Sequence, residues 1–173
     1  VRQGTSCVAI GANAGLGSQA SFSTAVGAFA QNTMNPTTSS NSTALGYGAG
    51  QTNQNFNSVA IGFQTGLSFQ GYNNVAIGYQ AGYSSQGNNS VAMGYSAGYT
   101  NQGGSGGGAF AFGYFSGYSN QGQAAVGIGA NTGYNGQGNF AIAIGDVAGF
   151  SNQSSQAIAI GREAGRSNQG ANG

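Results

Sequence analysis

A glycine that returns at a nearly constant step constrains this chain more than any other feature. It closes a Val-Ala-Ile-Gly-like tetrad at Gly11, Gly27, Gly46, Gly62, Gly78, Gly94, Gly113, Gly129, Gly145 and Gly161. The steps between these anchors are 16, 19, 16, 16, 16, 19, 16, 16 and 16. A fixed short period is the mark of a solenoid, and this one is too short for the common helix-pair repeats. Counting from the anchor, place +8 is Gln in nine of ten units (Gln19, Gln54, Gln70, Gln86, Gln102, Gln121, Gln137, Gln153 and Gln169), and Asn35 is the exception. Place +4 is Gly in nine, and its exception, Gln31, falls in the same unit as Asn35.

Glycine at two or three fixed places per unit would cost a helix about 1 kcal/mol each relative to Ala. Around the anchor the residues alternate, as in Ser90-Val91-Ala92-Met93-Gly94-Tyr95, which is the period of a strand. A unit of this length suits two short strands and two tight corners, with Gly supplying the corner conformations. The expected fold is all-β, a parallel β-solenoid (β-roll) of ten such coils, with residues 1–173 forming a single repeat domain. Coils stacked about 4.8 Å apart pair each strand with its copies above and below. Identical side chains then form columns, and a column of amides can hydrogen-bond along the stack. The Gln column is therefore read as a structural ladder. Both insertions, near 36–40 and 103–108, fall at one corner and are expected to protrude there without disturbing the columns.

Places −3, −1 and +1 share one face of the first strand, as with Val75, Ile77 and Tyr79; places −2 and 0, nearly all Ala and Gly, share the other. If the large residues face inward, the chain is a free-standing solenoid. If Ala and Gly do, the coil is a flat roll with a long exposed apolar stripe, which requires partner chains. The second strand points to the flat roll, because its places +6 and +8 are small hydroxyl residues and Gln, leaving little to pack opposite an inward Val/Ile row. On that reading Val59, Ile61, Val75, Ile77, Val91, Met93, Ile142, Ile144, Ile158 and Ile160 form an assembly face. The expected partner is another copy of the chain, in a trimer or a filament.

Composition narrows the function. Nine Tyr and ten Phe argue for order despite 35 Gly and 3% charged residues. Three Arg and two acids give a net charge of +1, too little for a nucleic-acid footprint. No apolar run approaches the length of a bilayer span. Without His, and with only Cys7, a His/Cys metal set cannot be built, and no cofactor is expected. Cys7 is read either as a free reactive thiol or as an inert buried small residue. The only acids are Asp146 and Glu163, in the same two coils as Arg162 and Arg166; Asp146 and Arg162 stand one repeat apart in one column and are expected to pair between coils rather than to act as an acid and a base. Gly127-Ile128-Gly129 is a repeat corner rather than a nucleotide loop. No enzymatic chemistry is expected.

The phrases Ser58-Val59-Ala60-Ile61-Gly62 and Ser90-Val91-Ala92-Met93-Gly94 resemble the head repeats of trimeric autotransporter adhesins. The longer phrase Val75-Ala76-Ile77-Gly78-Tyr79-Gln80-Ala81-Gly82-Tyr83 is similar to repeats of phage tail-fibre and large-virus surface proteins. The resemblance covers the whole chain, with the tetrad drifting in Thr24-Ala25-Val26-Gly27 and Phe110-Ala111-Phe112-Gly113. It implies a left-handed roll in a surface fibre, extracellular or on a virion, with adhesion to a cell-surface or glycan receptor. Two rival expectations come from the columns. Aromatic rows at +1 (Tyr47, Phe63, Tyr79, Tyr95, Tyr114) and +5 (Tyr83, Tyr99, Tyr118, Tyr134, Phe150) suggest carbohydrate stacking, and the +3 column (Thr65, Ala81, Ala97, Thr132) suggests an ice-binding plane.

Overall fold

A computed structural model describes residues 3–17, 19–32 and 40–170. Among these the chain is all-β, with 17 strands of three residues and no helix. Ten strands, from Val8–Ile10 to Ile158–Ile160, form one parallel sheet, and seven, from Thr52–Gln54 to Ser151–Gln153, form the other. Each strand pairs with its equivalent one coil away and in register, so that Val59, Ala60 and Ile61 oppose Val75, Ala76 and Ile77, and Gln70 opposes Gln86. The result is the expected parallel β-solenoid, with about nine turns of about 16 residues.

The anchor glycine is required twice over. Gly78 has a φ of 132°, outside the range of ordinary L-residues, and a Cβ placed there would overlap the Gly94 carbonyl of the next coil. Non-glycine residues also take left-handed backbone, both at corners and in the middle of second-sheet strands. Five of these are Asn57, Asn73 and Asn89 at corners and Asn53 and Asn101 within strands, with φ of 51–56°. Asparagine tolerates this conformation better than other side chains, which explains its columns at −5 and +7. There Asn57 donates to Asn73 at 3.1 Å and Asn73 to Asn89 at 3.0 Å.

The interior is thin. Away from the two ends of the stack, Ala at −2 and at +3, such as Ala76 and Ala81, is buried, and so is the Gln column, such as Gln70 and Gln86. Each interior methyl contributes only about 0.8 kcal/mol, so the inter-coil backbone ladder carries much of the order. Gln86 Nε2 reaches across the coil to donate to the Val75 carbonyl at 3.2 Å, and the other eight +8 glutamines make the same bond, as in Gln137 to Val126 at 2.7 Å. Glutamine thus ties the second strand to the first within one coil. The amide-to-amide ladder expected along the whole column forms only in segments, as in Gln70 to Gln86 at 3.2 Å, Gln121 to Gln137 at 3.1 Å and Gln153 to Gln169 at 3.2 Å. The main bond is the strut across the coil, because the amide faces a carbonyl there.

Residues 36–39 of the first insertion lie outside the described residues. The second narrows to Gly104-Ser105-Gly106, all exposed. Gly107 N donates to the Gly103 carbonyl at 2.7 Å and Gly108 N to that of Asn88 at 2.7 Å, so the chain rejoins the stack immediately after the bulge. The columns continue across it, with Phe110, Ala111 and Phe112 opposite Val91, Ala92 and Met93.

Candidate assembly face

Because the strand alternates, burying Ala76 turns Val75 and Ile77 outward. Val59, Ile61, Val75, Ile77, Val91, Met93, Ile142 and Ile144 are each half-buried. In the last coil Ile158 and Ile160 are 52% and 65% exposed. The same face continues through Val8, Ile10, Leu45 and Phe112, all exposed. Those four occupy the same −3 and −1 places, so the register was the signal that would have added them. At +1, Tyr47, Phe63, Tyr79, Tyr95 and Tyr114 extend the apolar surface. Midway along, Ile77, Met93, Phe112, Gly94 and Gly113 line a depression of about 360 Å³. It forms beside the anchor column, where there are no side chains to fill it.

Over most of its length this surface carries no charge, and the exceptions, Asp146 and Arg162, stand at +1 in the last two coils. Residues 3–145 contain no Asp, Glu, Lys or Arg. The acids lie in the last two coils, where Arg162 sits 3.6 Å from Asp146 and 3.5 Å from Glu163, and Arg166 lies 3.7 Å from Glu163. All four side chains are largely exposed, so these contacts are weak. The Asp146–Arg162 contact is the inter-coil pair expected from their spacing of one repeat. Among the described residues no group of three or more His, Cys, Asp or Glu could hold a metal ion, and no helix is long and apolar enough to cross a membrane. Cys7 is half-buried in the first coil, where its thiol lies 2.9 Å from the Ala20 carbonyl.

Two expected columns take different roles. Thr65, Ala81, Ala97 and Thr132 at +3 are fully buried, so they form no ice-facing plane. Place +3 points inward because it closes the turn after the anchor, as where Ala49 N bonds the Gly46 carbonyl at 3.4 Å. The aromatic rows are partly exposed, but the rings cover one another. At +5, Tyr83, Tyr99, Tyr118, Tyr134 and Phe150 stack at 4.7–5.0 Å, within 6–11° of parallel. Edges rather than faces therefore meet solvent, whereas a sugar stacks on a face. Phe115 was missed as a feature of the site. It lies edge-on to Tyr95 at 5.4 Å and to Tyr118 at 5.2 Å, joining the two rows. Burial, then the neighbouring Tyr83, Tyr118 and Tyr79, push the Tyr99 phenol above its ordinary pKa.

No family model, curated protein or solved structure matches the chain.

Proposed function

We propose that this protein is a structural segment of a surface fibre, extracellular or on a virion, whose rods assemble side by side through the Val/Ile/Met face. One observation carries the reading: an unbroken apolar row at −1 faces outward along the ten-stranded sheet, over an interior made mainly of Ala, Gln and small hydroxyl residues. A row of that length exceeds what a soluble monomer usually exposes. The uncharged stretch from residue 3 to 145 gives rods little electrostatic reason to stay apart. Three chains about a common axis is the first arrangement, and a filament of parallel rods the second. The resemblance to adhesin-head and tail-fibre repeats supports the surface location and a role in attachment. Sedimentation of the chain at micromolar concentration tests the proposal. A defined oligomer or filament supports it, and a well-folded monomer ends it.

A further inference from the structure

We propose that the tyrosine row at +5 is a site of oxidative cross-linking, where an oxidant of the peroxidase–hydrogen peroxide class joins rings of successive coils through carbon–carbon bonds. Tyr83, Tyr99, Tyr118 and Tyr134 stand one above another, with ring centroids 4.7, 4.9 and 4.8 Å apart and planes 11°, 6° and 7° from parallel. Their spacing is held by the backbone beside them: Ser84 N donates to the Tyr99 carbonyl at 2.9 Å, Thr100 N to that of Tyr118 at 3.0 Å and Ser119 N to that of Tyr134 at 2.9 Å. All four rings are half-buried, so their edges reach solvent while their neighbours stay fixed. The +1 row offers a further close pair, Tyr79 and Tyr95, at 4.8 Å and 9°, with Tyr114 farther from Tyr95 and less parallel to it, at 5.4 Å and 29°. Holding two reacting groups at contact distance replaces a bimolecular encounter with an intramolecular step.

The chemistry balances. Each of two phenols gives up one electron and its hydroxyl proton, leaving two phenoxyl radicals. A bond forms between ring carbons ortho to the oxygens as the rings tilt together. The two ortho hydrogens move to the oxygens and restore both phenols. Hydrogen peroxide takes up the two electrons and two protons and leaves as two waters, so each new bond removes two hydrogens from the protein. Coils otherwise joined along this edge by hydrogen bonds and ring stacking gain a covalent staple that closes a loop of one coil, or of one coil and the second insertion between Tyr99 and Tyr118. A cross-link of that kind constrains the unfolded chain. It needs only the stacking of coils within one chain, and so stands whether or not rods assemble.

The sequence contains its own controls. Tyr47 has Ala28 and Phe63 as its neighbours in its row and meets Phe29 edge-on, and Tyr72 stacks on Phe56, so neither has a tyrosine neighbour in its row. The dilute full chain is treated with peroxidase and hydrogen peroxide, then followed by dityrosine fluorescence, intact mass and peptide mapping. The expected result is loss of two hydrogens per bond within single chains, with linked peptides joining Tyr83 to Tyr99, Tyr99 to Tyr118, Tyr118 to Tyr134 and Tyr79 to Tyr95. A chain carrying both Tyr99→Phe and Tyr118→Phe should lose the +5 products and keep the Tyr79–Tyr95 product, which also reports that the variant has folded. Absence of dityrosine, links only between separate chains, or Tyr47 and Tyr72 coupling as readily as the row tyrosines would overturn the proposal.

Discussion

Gln31 Nε2 donates to Gln54 Oε1 at 2.9 Å, although Gln31 stands four places after its anchor glycine and Gln54 eight after its own. Gln31 is fully buried, accepts from Gln19 at 3.5 Å, and donates to the Ser42 hydroxyl at 3.0 Å. It therefore joins the interior glutamine column from the +4 place. In a regular coil that place must be Gly: Gly82 has a φ of 55°, and a Cβ there would lie 2.8 Å from Gln86 Oε1. The two exceptions of the second unit, Gln31 for Gly and Asn35 for Gln, thus belong together: with no +8 glutamine, the +4 side chain takes the space.

That coupling can be measured in a regular coil. Gly82→Gln and Gln86→Asn should each destabilise the protein by about 1–3 kcal/mol, the first through left-handed strain and overlap, the second through the lost strut. Together they should cost less than the sum, by at least about 0.5 kcal/mol. Denaturant unfolding of the three variants provides the comparison, and strictly additive losses would reject the exchange.

The outward and inward residues of one strand predict opposite phenotypes. Ile77→Glu should leave the β-sheet circular dichroism signal and change chain stability by no more than about 1 kcal/mol, while lowering the sedimenting mass. Ala76→Glu places an unpaired charge in the buried interior and should abolish folding. Retention of the assembled mass by folded Ile77→Glu would remove this face from the interface.

Removing Gly104-Ser105-Gly106 should cost less than about 1 kcal/mol, because loop length enters closure entropy only logarithmically. Gly107→Ala should be worse than the deletion, since Gly107 has a φ of 67° and a Cβ there would overlap the Asn88 carbonyl. Thermal melts of the two variants give the ranking, and the reverse order would mean that the bulge packs against something.

Val147 holds a φ of 60°, a conformation that a β-branched residue adopts only under strain. The equivalent place one coil earlier is Asn131, at 51°. Val147→Asn should therefore stabilise the coil by about 1 kcal/mol. Equal or lower stability in chemical unfolding would show that the half-buried valine contributes more by packing than it loses by strain.

The period, the strand class and the inter-coil pairing were legible in the sequence, because a single step shared by the Gly, Gln and apolar places admits few structures but a stack. The alternation of Val75-Ala76-Ile77 likewise announced two faces. It did not say which was inside, since a strand with one large and one small face can be buried either way. Tertiary structure decided that: Gln86 crosses the coil to the Val75 carbonyl, and the gap it spans leaves room for Ala76 and Ala81 but none for Ile77. The Asn columns at −5 and +7 were visible as composition, yet their left-handed backbone was not, because Asn also serves ordinary turns. Phe115 gave no periodic signal at all. Its place between Tyr95 and Tyr118 exists only once the corner is folded and the two aromatic rows, four places apart in sequence, are brought side by side.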